Sequence, residues 1–241
     1  MRRRFFVNQF AADTAVMEGE AAHHLGRVLR AQPGQLYELS DGRQVRLGRI
    51  EKVARDRIEF ALLEEIPSHQ PAIDVTLLLS IVKFDAFEWA LEKATELGVS
   101  TVVPLAAARS EKALLAAAGK RAERWKKILA EASQQSRRVR VPELQAVSQP
   151  AQAFAAQDAA VAKVMLSERP DVPTLRQILQ AEPARKQAAV LAVGPEGGWT
   201  DAEFTAAQSG GFREASLGKL ILRTETAVAA ALASINYALG E

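Results

Sequence analysis

The feature that most constrains this chain is a change of pattern across Ile66-Pro67-Ser68-His69-Gln70-Pro71, a polar stretch with two prolines. Before it, short strand-like runs (Arg4 to Val7, Leu36 to Leu39, Arg46 to Glu51, Arg57 to Leu63) are separated by turn signals at Pro33-Gly34 and Asp41-Gly42. Asp-Gly between two such runs predicts a hairpin. After it, buried strands alternate with helices, the pattern of an α/β sheet with parallel strands. A chain cannot carry both patterns through one layer of structure, so a domain boundary is expected in this stretch. The 241 residues are enough for one large domain or two unequal ones.

In the second part, Val75 to Val82 is a continuous apolar run, as for a strand covered on both faces. A helix is predicted from about Asp85 to Leu97, with Phe87, Leu91 and Ala94 inward, Glu88, Glu92 and Glu96 outward, and Gly98 as its stop. Val99 to Leu105, Ala159 to Leu166 and Ala188 to Val193 read as further strands, and Lys120 to Ser136 as a long basic helix. The last helix, about Glu225 to Leu239, is alanine-rich with Val228, Leu232 and Ile235 at helical spacing, and self-association is one way to cover it.

Several function classes drop out. Val75 to Val82 and Ala227 to Ile235 are far shorter than the roughly 20 apolar residues a membrane span needs. Asn8, Gln9 and Asp13 interrupt any signal-peptide core after the basic start, so a cytoplasmic location is expected. With no Cys and three poorly spaced His, neither a disulfide framework nor a metal centre is expected. No two glycines are separated by one residue, which removes the G-x-G of dinucleotide folds and of ordinary Rossmann methyltransferases. Gly218-Lys219 lacks both the preceding glycine and the following Ser or Thr of a P-loop, and no H-E-x-x-H or G-x-S-x-G occurs.

Three segments that end strands carry unusual chemistry: Leu166 to Pro170, Gly194-Pro195-Glu196-Gly197-Gly198, and Ser216 to Ala227. Ligands of open α/β sheets sit beyond the carboxyl ends of strands, so three such loops predict a pocket. The glycines of the second loop allow positive φ and leave backbone groups able to face a ligand, although a plain structural turn would use the same residues. Thr200 and Glu203 form a capping box that fixes the start of the next helix. Between Arg109 and Arg140 ten Lys or Arg face three Glu, which is either a solvated helix face or a surface for phosphates.

At these residues the chain resembles the RsmE family of 16S ribosomal RNA uridine N3-methyltransferases, of the SPOUT superfamily. The resemblance runs through Arg-Arg-Arg-Phe at the start, His24 to Arg30, Lys93 to Val99, Arg124 to Ile128, Glu131 to Arg137, Gly194 to Gly198, and Leu217 to Ala227, in the family's order. It implies a PUA-like RNA-binding β-barrel over residues 1–70 and an α/β SPOUT trefoil-knot methyltransferase domain over 73–241. It also implies a homodimer that binds S-adenosylmethionine and acts on 16S ribosomal RNA within the 30S subunit, with no membrane and no metal partner.

By this resemblance the cofactor pocket is made by Leu166, Ser167 and Glu168 in the first loop. Val193, Gly194, Pro195, Glu196, Gly197 and Gly198 supply the second. Ser216, Leu217, Gly218, Leu220, Ile221, Leu222, Thr226 and Ala227 supply the third. Uridine N3 must lose a proton before it attacks a methyl group; Arg223 could stabilise the resulting anion, and Glu225, Glu196 or water could take the proton. A carboxylate at position 225 also has a purely structural reason, since it begins a helix. RNA contacts are expected from Arg2, Arg3, Arg4, His24, Arg27 and Arg30, and from Arg109, Arg137 and Arg138 of the basic stretch, His24 being equally suited to a packed, locally hydrogen-bonded role. Two other readings fit the same residues: a non-catalytic ribosome-assembly factor, and a SPOUT enzyme acting on transfer RNA.

Overall fold

A computed structural model describes residues 3–68, 70–158, 162–181 and 188–239. The chain forms two compact units: Met1–Gln70 together with Ser133–Val141, and Pro71–Ala132 together with Pro142–Glu241.

The first unit is a six-stranded sheet. Its elements are β1 (Arg4–Phe6), β2 (Phe10–Ala11), β3 (Thr14–Glu18), α1 (Gly19–His23) running into a π-helical turn (His24–Val28), β4 (Leu36–Ser40), β5 (Val45–Val53) and β6 (Arg57–Glu65). The strand order is β1-β4-β5-β6-β3-β2, antiparallel except where β1 lies parallel to β4. The Asp41-Gly42 hairpin forms between β4 and β5, with Gly42 at φ +86° and the Asp41 carboxylate accepting from the N–H groups of Arg43 and Gln44 at 2.9 and 3.0 Å. Register shifts between Arg46 and Gly48 and between Ile50 and Lys52 bend the β5–β6 pair, the usual effect of a bulge. Phe5, Met17, Leu25, Leu39, Ile50, Ile58 and Phe60 fill the concave side.

Segment 133–141 returns to this unit and is held by a buried charge cluster. Glu38, 4% exposed, accepts from Arg4 Nε and Nη2 at 3.1 and 2.9 Å and pairs with Arg137; Arg4 also donates to the Arg137 carbonyl, and Ser40 to that of Val139. Arg137 sits at φ +57°, a strained backbone held by these contacts. Of the arginines expected to contact RNA, Arg4 and Arg138 are buried, at 4% and 7% exposed, and Arg4 commits its guanidinium to Glu38 and the Arg137 carbonyl.

The second unit is a parallel α/β sheet. In chain order it comprises β7 (Asp74–Ser80), α2 (Phe84–Glu96), β8 (Thr101–Leu105), α3 (Lys112–Ala118), a 3-10 turn (Gly119–Arg121), α4 (Ala122–Gln135), β9 (Glu143–Leu144), α5 (Pro150–Ala155), β10 (Ala162–Leu166), α6 (Leu175–Gln180), β11 (Ala188–Val193), α7 (Asp201–Ser209), β12 (Arg213–Ala215) and α8 (Thr224–Leu239). The strand order is β12-β10-β11-β7-β8-β9, and every pair is parallel. β11 thus enters between β7 and β10, two strands laid down before it. The first residues of the strand expected from Ala159 lie outside the described residues.

The basic helix expected over Lys120 to Ser136 forms as α4 (Ala122–Gln135), entered through the 3-10 turn. One detail departs from the sequence reading. Glu88, assigned to the outer face of its helix, is 8% exposed and accepts from Arg124 Nε at 2.7 Å and Arg121 Nη1 at 3.4 Å. The cause is Trp125, whose buried ring packs 4.6 Å from Phe87 and so brings the arginines beside it onto α2. Part of the positive charge between Arg109 and Arg140 is therefore paired with a buried carboxylate while staying at the surface.

Candidate active site

The parallel sheet aims the loops after β7, β8, β10, β11 and β12 at one end, and they enclose a cavity of about 1240 Å3. Its wall includes Leu166 to Glu168, Val193 to Gly198, Leu217 to Leu222, and Arg223, Glu225, Thr226 and Ala227. Ser216 is the exception among the assigned residues. Its N–H donates to the Pro173 carbonyl at 2.9 Å and its own carbonyl accepts from Leu175 N at 2.8 Å, so it braces the start of α6 and does not face the cavity.

The three loops are tied to one another. Trp199 Nε1 donates to the Leu166 carbonyl at 3.0 Å, joining the second loop to the first. Thr224 Oγ1 donates to the Gly194 carbonyl at 3.2 Å, joining the third to the second. Arg109 Nη1 donates to the Gly197 carbonyl at 2.8 Å, which brings in the loop after β8. Arg109, assigned to RNA by the basic stretch, is thus part of the cavity wall.

These ties explain the glycines. A β-carbon at position 194 would lie 3.0 Å from Nε1 and Cε2 of Trp199, and one at 197 would lie 3.2 Å from Cβ of Arg109. Gly198 has φ +69°, a conformation that costs an L-residue about 1 to 2 kcal/mol. Packing against Trp199 and Arg109 therefore favours glycine at 194 and 197, and backbone shape favours it at 198.

Leu220 and Ile221 are 82% and 80% exposed at the cavity mouth, unusual for large apolar side chains. The main-chain N–H groups of Leu220 and Leu222 have no partner among the described residues. An apolar rim beside free N–H donors can grip the flat, hydrogen-bonding edge of a ligand ring. Arg223 is exposed on the wall, and Glu225 is half-buried in the first turn of α8. Across the cavity stands the start of α2, with Lys83, Asp85 and Trp89. The sequence reading missed this side, although the strand-end rule applied to β7 points to it.

Arg169 forms a further wall, stacked 3.5 Å over Phe204 and paired with Asp201. In the first unit Arg3, His24, Arg27 and Arg30 are exposed; Arg2 lies outside the described residues.

Residues 69–236 match the RNA methyltransferase domain family and residues 18–63 the RNA methyltransferase PUA domain family. Ribosomal RNA small subunit methyltransferase E of Synechocystis is 34% identical over 236 residues, covering 96% of this chain and 75% of that one. The chain belongs to the ribosomal RNA small subunit methyltransferase E family. Its Bacillus subtilis relative of the same name is 33% identical, covering 94% and 91% of the two chains. The crystal structure of methyltransferase E from Neisseria gonorrhoeae bound to S-adenosylmethionine superposes with a TM-score of 0.87, at 30% identity over 98% of each chain. A Legionella pneumophila methyltransferase in complex with the same cofactor gives 0.87 at 27% identity, over 99% of this chain and 98% of that one. The family's fold is therefore the one described: a PUA-like unit with a curled sheet and a parallel methyltransferase sheet of the SPOUT type.

Proposed function

We propose that this chain transfers the methyl group of S-adenosylmethionine to N3 of a uridine in 16S ribosomal RNA of the small ribosomal subunit. The observation that carries the reading is the cavity at the carboxyl end of the parallel sheet, walled by three mutually hydrogen-bonded loops. The residues present fit the donor: the volume exceeds that of a drug-sized pocket, and the Leu220–Leu222 segment offers apolar cover together with main-chain donors. Leu166, Gly194 to Gly198 and Leu217 to Ala227 would hold it. Bound there, the cofactor supplies a methyl group already activated on a sulfonium.

The protein's own tasks are alignment and charge. Fixing the two reactants face to face is the larger contribution, and the interlocked loops serve it. Arg223 offers a fixed positive charge toward which a uracil N3 anion can form. Glu225, Glu196 or water takes the proton; Glu225 also suits its helix N-terminus electrostatically. On the first unit Arg3, His24, Arg27, Arg30 and Arg137 are the RNA-facing groups, and on the second Arg109.

We further infer that the enzyme is a cytoplasmic homodimer whose C-terminal segment threads a trefoil knot. The late insertion of β11 between β7 and β10 supports the knot, and the alanine-rich α8 supports the dimer. Among the described residues no helix is long and apolar enough to cross a membrane.

Primer extension on ribosomal RNA from a deletion strain tests the proposal, because an N3 methyl blocks base pairing. A reverse-transcription stop in 16S RNA that disappears on deletion and returns with the gene is the expected result. An unchanged stop pattern refutes it.

A further inference from the structure

Two helices of the second unit open on capping boxes of one form, and comparing them isolates a task that only one performs. At α6, Gln177 Oε1 accepts from Thr174 N at 2.8 Å and Thr174 Oγ1 at 2.9 Å. At α7, Glu203 Oε2 accepts from Thr200 N and Thr200 Oγ1 at 2.8 and 2.9 Å. One amide oxygen closes such a box, so capping alone does not require a carboxylate.

The second oxygen of Glu203 is what differs. Oε1 accepts from the N–H of Ala108 at 2.9 Å, in the loop after β8. The carboxylate is 8% exposed and accepts on both sides, a duty a Gln cannot perform because its amide nitrogen only donates. Arg109, the next residue, donates to the Gly197 carbonyl at 2.8 Å, and its Cβ lies 3.2 Å from where a β-carbon of residue 197 would stand. A continuous path thus runs from Glu203 through Ala108 and Arg109 to the backbone of the glycine-rich loop.

We propose that Glu203 is a positioning residue of the donor pocket, holding Arg109 in place so that the Gly197 backbone keeps its binding shape. This rests on the reading of the cavity as the S-adenosylmethionine site. In Glu203→Gln, an oxygen kept toward Thr200, as in α6, turns the amide nitrogen onto the Ala108 N–H. Two donors then face each other, and the loop must move.

The test is calorimetric titration of S-adenosylmethionine into the full chain, with thermal unfolding alongside. Glu203→Gln is expected to weaken binding about tenfold, the scale of a buried donor losing its acceptor. Thr200→Ala removes the capping hydroxyl but leaves the Ala108 contact, so it lowers the melting temperature while affinity stays within about twofold of wild type. Arg109→Ala weakens binding by a factor similar to that of Glu203→Gln, and the double variant by no more than the larger single effect.

Affinity unchanged in Glu203→Gln overturns the proposal, as does a double variant whose losses multiply. If Glu203→Gln is recovered unfolded, Arg109→Ala decides: wild-type affinity there also overturns it. Failure of the wild-type chain itself to bind the cofactor sinks the underlying reading of the pocket instead, which keeps the two failures apart.

Discussion

Replacing Trp199 with Phe removes the hydrogen bond that joins two of the three cavity loops while keeping an aromatic ring in place. The indole is 5% exposed, packs edge-on against Phe154 at 5.9 Å, and donates to the buried Leu166 carbonyl at 3.0 Å. Stripping a buried carbonyl of a partner costs about 1 to 3 kcal/mol. The space left by the smaller ring adds on the order of 1 kcal/mol. The sum of about 2 to 4 kcal/mol corresponds to a melting temperature lower by roughly 4 to 16 °C for a chain of this size. The same variant should rescue a second one. Gly194→Ala places a β-carbon 3.0 Å from Nε1 and Cε2 of Trp199, and that crowding is relieved when the indole is gone. Thermal unfolding of the two single variants and the double variant, with cofactor titration on each, measures both effects. The reasoning is refuted if Trp199→Phe costs under about 0.5 kcal/mol, or if the two substitutions simply add.

Other consequences are open to direct measurement. Glu38→Ala leaves Arg4 buried without its carboxylate and should destabilise the first unit by about 3 to 5 kcal/mol, read as the denaturant midpoint. Replacing Gly197 and Gly198 together by Val should abolish cofactor binding with the parallel sheet still folded by circular dichroism, since one β-carbon meets Arg109 and the other requires φ +69°. Arg223→Ala should lower the single-turnover methylation rate on 30S subunits by about 10- to 1,000-fold while cofactor affinity is retained, as expected for a charge that acts on the transition state. RNA affinity should fall steeply between low and moderate salt if phosphate contacts dominate; a flat response contradicts that.

Much of the scaffold was legible because it is written locally. The unbroken apolar run of β7, the Asp41-Gly42 turn, the Gly98 stop and the Thr200/Glu203 box each depend on a few adjacent residues, and each appears where the sequence places it. What escaped depends on partners far along the chain. Nothing near Ser133–Val141 announces its return to the first unit, which is fixed by Arg4 and Glu38 more than ninety residues away. Glu88 reads as an outward residue by helical spacing, and only the packing of Trp125 against Phe87 buries it. The strand-end rule located three cavity loops, but the bonds that join them arise from Trp199, Thr224 and Arg109, none of which local pattern distinguishes. β2 was missed because it is two residues long, and β3 because only Ala15 and Met17 of its five residues are buried.

The central claim, methyl transfer to a uridine nitrogen in small-subunit RNA, meets its most direct test in a reconstituted reaction. Purified protein would be incubated with 30S subunits from the deletion strain and S-adenosylmethionine labelled in its methyl group, and the RNA then digested to nucleosides. Label recovered in 3-methyluridine from 16S RNA, one per subunit at saturation, is the predicted result. Label in another nucleoside, or none with a protein that binds the cofactor, contradicts the account.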